Sequence, residues 1–367
     1  MKLLFNVFWL TYFVSSAVFA DVVTGLYDAV TRIESQSQSA QSRATRQGME
    51  QVLVKVSGDQ NILQNSDIRA HVRRANDYLL QFNFGMEDGA LTFQSTFEKS
   101  KIDRIIKDAG FPIWGSRRPS TLFWLAVESD DDSERFIVSE ADSLLIKNTA
   151  LRASKRRGLV VDFPLLDLDD IEKVHVVDVW GRFMDNLVNA SDRYDVESVL
   201  VARLYKATSL IDEDDSVPEL LKAEQGEASW QLDWSLQLAN QTYNGTYNGS
   251  LSEPLIDNLI DEVANQLASR FAIGLSDNRF ANERIDIKVV GLENMRQLVK
   301  TTEVLRSVAA ISDVSMTSIT GDIATFELTL LGTEQDFLTA LSLEKSIVRR
   351  RDQFDQPVDS LEFVLEN

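Results

Sequence analysis

Apolar residues recur along most of this chain with one of two spacings. In several stretches they repeat every three or four positions, as in helices with one buried face; clear cases are residues 39–56 and 252–271. Elsewhere apolar and polar residues alternate, as in strands with one buried face, most regularly at residues 229–238. Residues 121–127 are almost entirely apolar, which indicates a strand buried on both faces. The sequence therefore predicts a mixed α+β protein.

The first part of the chain is the least regular. We predict a strand at residues 22–33, helices at 39–56 and 67–81, a strand at 91–97 and a helix at 98–108. Together these elements form one small α/β unit.

Two further α/β units follow a turn-rich segment at residues 111–119, which contains two prolines and a basic pair. Strands and helices alternate from residue 121 to 205, which predicts parallel strand pairs. A β-hairpin at residues 229–247 makes that sheet mixed. The last unit has the order β-α-β-β-α over residues 284–346, with a candidate final strand at 361–365, and this order is ferredoxin-like.

Five segments result from these boundaries. They are a signal peptide at 1–20, an N-terminal α+β domain at 21–113, a middle α/β domain with the hairpin at 120–275, a C-terminal ferredoxin-like domain at 283–348 and an acidic tail at 349–367.

The first twenty residues have the pattern of a secretory signal peptide. Lys2 precedes an apolar run at residues 3–14, and Val18 and Ala20 suit signal peptidase, so cleavage is expected before Asp21. A membrane anchor is the alternative, but the run is shorter than the roughly 20 apolar residues that span a bilayer. With no cysteine, the chain has no lipobox. We therefore expect a periplasmic protein of a Gram-negative bacterium without a stable membrane anchor.

Composition excludes several kinds of chemistry. The lack of cysteine excludes disulfides, thiolate metal sites and cysteine nucleophiles. The formal net charge of −20 repels nucleic acid and anionic lipid surfaces, so we expect no nucleic-acid partner. The same charge favours solubility and is compatible with a basic partner.

Short motifs are spread over nearly all of the predicted mature chain. They are Val23-Thr24-Gly25-Leu26-Tyr27, Gln51-Val52-Leu53-Val54-Lys55-Val56-Ser57-Gly58, Tyr78, Gln81-Phe82, Phe111-Pro112-Ile113-Trp114-Gly115 with Arg118-Pro119, Asp178-Val179-Trp180-Gly181, Ala190-Ser191 with Arg193-Tyr194, and Trp230 with Trp234. In combination they resemble an uncharacterised proteobacterial family of exported proteins called domain of unknown function 2066. The resemblance implies an envelope protein, mostly gammaproteobacterial, and provides no catalytic residues.

The sequence contains none of the motifs that mark common active sites. It has no nucleophile elbow, zinc-protease motif or phosphate-binding glycine loop. Its only histidines are His71, predicted to lie on the surface, and His175, predicted to be an interior or edge residue. We therefore predict no catalytic residue, no cofactor and no metal site, which favours a protein that is not an enzyme.

Three acidic clusters are the remaining candidates for ligand binding. One of them follows a predicted strand at the edge of the middle sheet where ligands of open α/β sheets bind. The predicted ligand-binding residues are therefore Asp162, Asp167, Asp169 and Asp170. Solvated loops are the simpler interpretation, and calcium binding is a third one, although no cluster matches an EF-hand loop. The other two clusters are Asp130-Asp131-Asp132 and Asp212-Glu213-Asp214-Asp215.

These observations support two functional hypotheses. The first is a non-enzymatic periplasmic accessory or scaffold protein that binds another component of the envelope, most simply a protein. The alternative is a protein that binds or hydrolyses envelope glycan with carboxylates of the middle domain, since glycosidases need two carboxylates across a cleft. Trp230 and Trp234 could form a sugar-stacking platform, but their alternation with leucines predicts core positions instead.

Overall fold

The structure is a computed structural model that describes residues 22–87, 89–129, 134–207, 229–274, 283–351, 356, 358 and 361–366. The predicted signal peptide and the acidic clusters at 130–132 and 212–215 lie outside the described residues. Within them, helices and strands form three sheets with helices packed on them, and the mixed α+β class is confirmed.

The N-terminal unit is a three-stranded antiparallel sheet, ordered β1-β3-β2, with helix α1 packed on β1 and β3. Met49, Val52 and Leu53 of α1 are fully buried, as its apolar spacing predicts. The elements are β1 (Asp28–Arg32), α1 (Gln38–Ser57), α2 (Ser66–Val72), β2 (Leu79–Glu87), β3 (Ala90–Phe97) and α3 (Lys99–Asp108).

One prediction in this unit is wrong. The helix expected over residues 67–81 ends with α2 and a short 3-10 turn at Ala75–Asp77, and the chain then enters β2. From Leu80 to Met86, apolar and polar or small residues alternate, which suits a strand paired with β3.

The middle unit is a six-stranded mixed sheet covered on both faces. Strand β4 pairs in parallel with β6 and β7, and β7-β8-β9 continue the sheet antiparallel, which confirms the predicted parallel pairs and the hairpin. The elements are β4 (Ser120–Glu128), β5 (Arg135–Ile137), α4 (Leu145–Arg157), β6 (Val160–Asp162), α5 (Leu168–Lys173), α6 (Val176–Gly181), α7 (Met184–Ser191), β7 (Ser198–Ala207), β8 (Ser229–Leu238), β9 (Gln241–Gly249) and α8 (Ser252–Phe271).

Strand β4 explains why both faces are covered. Phe123 and Leu125 pack with α4 and α8 on one face, whereas Leu122 and Trp124 pack with α6 and α7 on the other. The predicted core position of Trp234 is confirmed, since it is 4% exposed. Helices α6 and α7 are separate, because the left-handed backbone of Arg182 ends α6.

The C-terminal unit keeps the predicted β-α-β-β-α order, confirms the candidate final strand as β14 and adds β13, which was not predicted. Its sheet is ordered β11-β12-β10-β14-β13, with β14 parallel to β10 and antiparallel to β13. The segment predicted as an acidic tail therefore supplies an inner strand, in which Phe363 is buried. The elements are β10 (Arg284–Val290), α9 (Met295–Ser307), β11 (Ile311–Thr320), β12 (Ile323–Leu330), α10 (Glu334–Leu341), β13 (Ile347–Arg349) and β14 (Glu362–Leu365).

The turn-rich segment at 111–119 is a packed joint between the units. Arg118 is 3% exposed, its guanidinium lies 3.9 Å from the ring centroid of Trp114, and it donates to four backbone carbonyls. Two of these carbonyls belong to the last turns of α1 and α4, at Lys55 (2.6 Å) and Arg157 (2.9 Å). Arg117 forms an ion pair with buried Glu344 of the C-terminal unit. The basic pair thus holds all three units together.

Candidate functional site

Three of the four predicted ligand-binding carboxylates converge on one arginine. Arg193 forms two hydrogen bonds with Asp167, of 2.6 and 2.7 Å, and one of 3.2 Å with Asp170. Its guanidinium also lies 3.8 Å from a carboxylate oxygen of Asp169. Arg193 therefore occupies the position that the sequence alone left open to a ligand or a cation.

Asp170 is the buried centre of this network, with 1% of its surface exposed. One of its oxygens accepts from the Tyr194 hydroxyl at 2.5 Å and from the Leu166 amide at 2.9 Å. The Tyr194 hydroxyl in turn accepts from the amide of Leu165 at 2.9 Å. Burial and the hydrogen bond to Asp170 raise the pKa of Tyr194. These bonds fix residues 165–170 against the turn that follows α7.

Asp167 also has a structural role. It caps α5 by accepting from the Asp170 amide, and the hydrogen bonds from Arg193 lower its pKa to about 2. A catalytic acid of a glycosidase requires a raised carboxyl pKa, so Asp167 has the opposite property. In the described part of the chain, no group of carboxylates and histidines has the arrangement of a metal site.

Asp162, the fourth predicted residue, lies apart from this network, in a groove of about 980 Å³ between the N-terminal and middle units. The charges that line the groove are mainly basic, five against three, in a chain whose net charge is −20. The basic residues are Arg32, Lys55, Arg152, Lys155 and Arg156, and the acidic ones are Asp28, Glu87 and Asp162.

Helix α5 and the loop before it expose large apolar side chains. Leu168 and Ile171 of α5 are 84% and 56% exposed and, being three residues apart, are neighbours on the helix surface. Leu165, in the loop that precedes the Asp167 cap, is 48% exposed. We call these three residues the α5 patch. Of the eighteen large apolar residues that are exposed in the described part, five lie between 165 and 183, so this region is unusually rich in them.

Acidic side chains border the α5 patch. Asp167 and Asp169 alternate with its first two members along the chain, and their side chains are 43% and 73% exposed. Apolar side chains with a charged border are the usual composition of a protein-binding surface.

Comparison with known proteins identifies the last unit. Residues 285–352 match the family model DUF2066. The C-terminal unit belongs to DUF2066. The family predicted from the sequence is thereby confirmed, although all of the motifs that suggested it lie outside the matched residues. Residues 20–115 match a second model, described as domain of unknown function DUF8605, and include the motifs from Val23 to Gly115.

No curated protein matches the chain. Among solved structures, a competence or damage-inducible protein from Enterobacter asburiae is 9% identical with a TM-score of 0.21, over 46% of this chain and 93% of that chain. A competence-damaged protein (CinA) superfamily protein from Escherichia coli is 9% identical with a TM-score of 0.20, over 47% and 84%. Superpositions this poor carry no argument about fold or function.

Several motif residues outside the DUF2066 match are structural. Trp114 and Arg118 stack in the joint, Asp178 caps α6, and the ring of Trp180 lies 3.9 Å from the guanidinium of Arg135. The Arg193-Tyr194 pair holds the α5 patch in place. In the sequence that pair stands only among the motifs of the family resemblance, and nothing in its spacing connects it with the aspartates.

Both histidines lie outside any catalytic arrangement among the described residues. His71 is half-buried and hydrogen-bonded to the hydroxyl of Tyr78. His175 was expected to be an interior or edge residue, but its side chain is 71% exposed, because the residue sits at the start of α6. Within the described residues, no helix has both the length and the apolar character needed to cross a bilayer.

Proposed function

We propose that this chain is a non-enzymatic accessory protein of the periplasm that binds another envelope protein through the α5 patch. The observation that carries the proposal is the exposure of Leu165, Leu168 and Ile171 on a segment whose backbone is hydrogen-bonded to Tyr194. When a partner removes apolar side chains from water, the complex is stabilised by about 25 cal/mol per Å² of apolar surface buried.

The rigidity of the segment strengthens this argument. Asp170 and Tyr194 fix the backbone of Leu165 and Leu166, and Leu166 has the left-handed φ of 52°, which a leucine adopts only when its surroundings hold it there. A surface already held in one conformation loses less entropy when a partner binds.

The charge around the α5 patch indicates the partner's chemistry. Asp167 and Asp169 border the patch, and the whole chain carries a net charge of −20. Complementary charge speeds the encounter of two proteins and disfavours like-charged partners. The partner should therefore present an apolar surface bordered by lysine or arginine.

The location is supported by the sequence pattern of residues 1–20. Lys2, the apolar run and the Val18-Phe19-Ala20 site are those of an exported precursor. Sequencing the N-terminus of the protein recovered from a periplasmic fraction should give Asp21 as the first residue. Recovery from the cytoplasm with Lys2 still present would contradict the proposed location.

The experiment that tests binding is chemical crosslinking in cells, with the chain expressed at its native level, followed by purification and mass spectrometry. The test variant is Leu168→Lys, and the matched control is Met295→Lys, since Met295 is 72% exposed on the C-terminal unit. We expect a reproducible envelope protein with the wild type and the control, lost in Leu168→Lys. Capture of the same proteins by all three chains would refute the α5 patch as the docking surface.

The glycan alternative receives less support from the arrangement of the carboxylates. Asp167 and Asp170 are bound by Arg193, and Asp162 lies in a groove where basic residues outnumber acidic ones. Purified protein that released fragments from isolated cell-wall glycan, and lost this activity in Asp162→Asn, would revive it.

A further inference from the structure

The outer strand of the N-terminal sheet differs from every other sheet edge among the described residues. Strand β2 has nine residues, whereas β1, β5, β6 and β13 have three to five. The long edge strand β9 exposes no large apolar side chain. The long edge strand β11 is interrupted by two bulges, at Ile311/Asp313 and Met316/Ser318. Strand β2 combines length, regular pairing from Gln81 to Glu87 and exposed apolar side chains, with a single register shift at its start, between Leu79 and Gln81.

Leu80, at the register shift between Leu79 and Gln81, is 65% exposed. Beyond it, Phe82 and Met86 lie on one face of the sheet and are 49% and 68% exposed, and Phe84 is half-buried between them. They share their face with Phe93 of β3, whose ring is 5.2 Å from that of Phe82. Helix α1 covers β1 and β3 on this face and stops short of β2. The apolar surface of the sheet therefore continues past the helix to an open edge.

Strand β2 has few of the devices that normally protect an edge, and its one bulge lies at its start, between Leu79 and Gln81. Natural edge strands are blocked by lysine, proline, bulges or short length, because unpaired backbone groups are a template for another strand. Glu87 is the only charged residue of β2, the strand contains no proline, and its pairing is regular from Gln81 to Glu87.

The sequence of β2 is complementary to itself. If a second copy pairs antiparallel with Asn83 opposite Asn83, Phe82 faces Phe84 of the second copy. The five residues from Gln81 to Gly85, all within the regularly paired part of β2, find partners in this register. Directly opposite side chains in antiparallel strands lie about 4.5–5.5 Å apart at their Cβ atoms, and aromatic pairs at such positions are stabilising.

Electrostatic repulsion between two acidic chains does not oppose such pairing, because the N-terminal unit is close to neutral. Residues 22–113 contain eleven basic and eleven acidic side chains, so the net charge of −20 arises elsewhere in the chain. Two copies that meet through β2 bring neutral units together and keep the acidic units on the outside.

We infer that two copies of this protein associate through β2, about a two-fold axis at Asn83, to form a continuous six-stranded sheet. This inference is independent of the proposed function, because the α5 patch lies in the middle unit and stays accessible in such a dimer.

The absence of cysteine makes a direct test possible. In the full mature chain, Asn83→Cys places two thiols opposite each other across the axis, and mild oxidation should give a covalent dimer. Gln81→Cys is the control within the same strand, since Gln81 faces Gly85 of the second copy and should not crosslink. A covalent dimer from both variants, or from neither, would contradict the register.

A second measurement does not depend on disulfide geometry. Sedimentation equilibrium of the wild type should show a monomer–dimer equilibrium, and Phe82→Glu should raise its dissociation constant at least about tenfold. Phe82 is exposed, so circular dichroism should show an unchanged fold. A wild-type chain that stays monomeric at all concentrations, or a dimer that Phe82→Glu leaves intact, would overturn the inference.

Discussion

The hydroxyl of Tyr194 lies 2.5 Å from the buried carboxylate of Asp170 and joins two segments that are far apart in the sequence. Through this contact the turn after α7 supports the loop that leads into α5. The aspartates that the sequence marked as ligand-binding candidates thus hold an apolar surface in position.

Removing the Tyr194 hydroxyl should weaken this support. Tyr194→Phe leaves the Leu165 amide without its partner and removes one of the two donors to an oxygen of buried Asp170, which should lower the free energy of unfolding by about 1–3 kcal/mol. Urea unfolding measures the change. Tyr243→Phe is the control, since the Tyr243 hydroxyl bonds only to the exposed side chain of Gln241 and its loss should be nearly neutral. Equal effects of the two substitutions would contradict the role given to Tyr194.

Arg118 should be among the most sensitive positions in the chain. Arg118→Met leaves the carbonyls of Lys55, Trp114, Gly115 and Arg157 without their buried donor, and we expect a loss of at least about 3 kcal/mol in unfolding free energy. Arg104→Met, at a side chain that is 82% exposed, should change the same quantity by well under about 1 kcal/mol. A small effect at Arg118 would mean that the joint does not depend on its guanidinium.

Lys55 should make stability depend on alkaline pH. Burial, with the nearby Arg118, lowers the pKa of Lys55 to about 8, against 10.5 for a free side chain. Between these values the unfolded chain binds more protons than the folded one, so stability rises with pH. From about pH 7.5 to about pH 9.5 the wild type should gain roughly 2 kcal/mol relative to Lys55→Met.

The matched control for that series is Lys107→Met, which removes an exposed lysine of α3. Over the same pH range the wild type should gain more stability relative to Lys55→Met than relative to Lys107→Met. Equal gains against the two variants would contradict the effect assigned to burial of Lys55.

Local patterns predicted most elements of the fold, because the periods of α1, α8 and β8 record which side chains are buried. They did not predict β2, since Tyr78, Leu79 and Leu80 also fit the end of a helix, and pairing with β3 decides between the two. Strand β14 lies beside β10, more than seventy residues away in the sequence, so its inner position depends on contacts that no local pattern contains.

The candidate site was predictable only in part. Asp167 and Asp170 were candidates because they follow a predicted strand at the sheet edge where ligands bind. Their partner Arg193 is more than twenty residues further along the chain, and its approach depends on how α7 packs. Nothing in the spacing of Leu168 indicates that it faces solvent, since a leucine between two aspartates also fits a short buried turn. Whether an apolar residue is exposed depends on how the helices and strands pack in the folded chain, and local spacing does not contain that information.

Photo-crosslinking from position 168 shows directly whether the α5 patch binds another envelope protein. A photoreactive phenylalanine analogue replaces Leu168 in one chain and Met295 in another, and both are irradiated in living cells. Our account predicts that position 168 becomes attached to one envelope protein with a basic surface, while position 295 does not. Attachment from both positions to the same proteins, or from neither position in a folded and exported chain, would contradict the account.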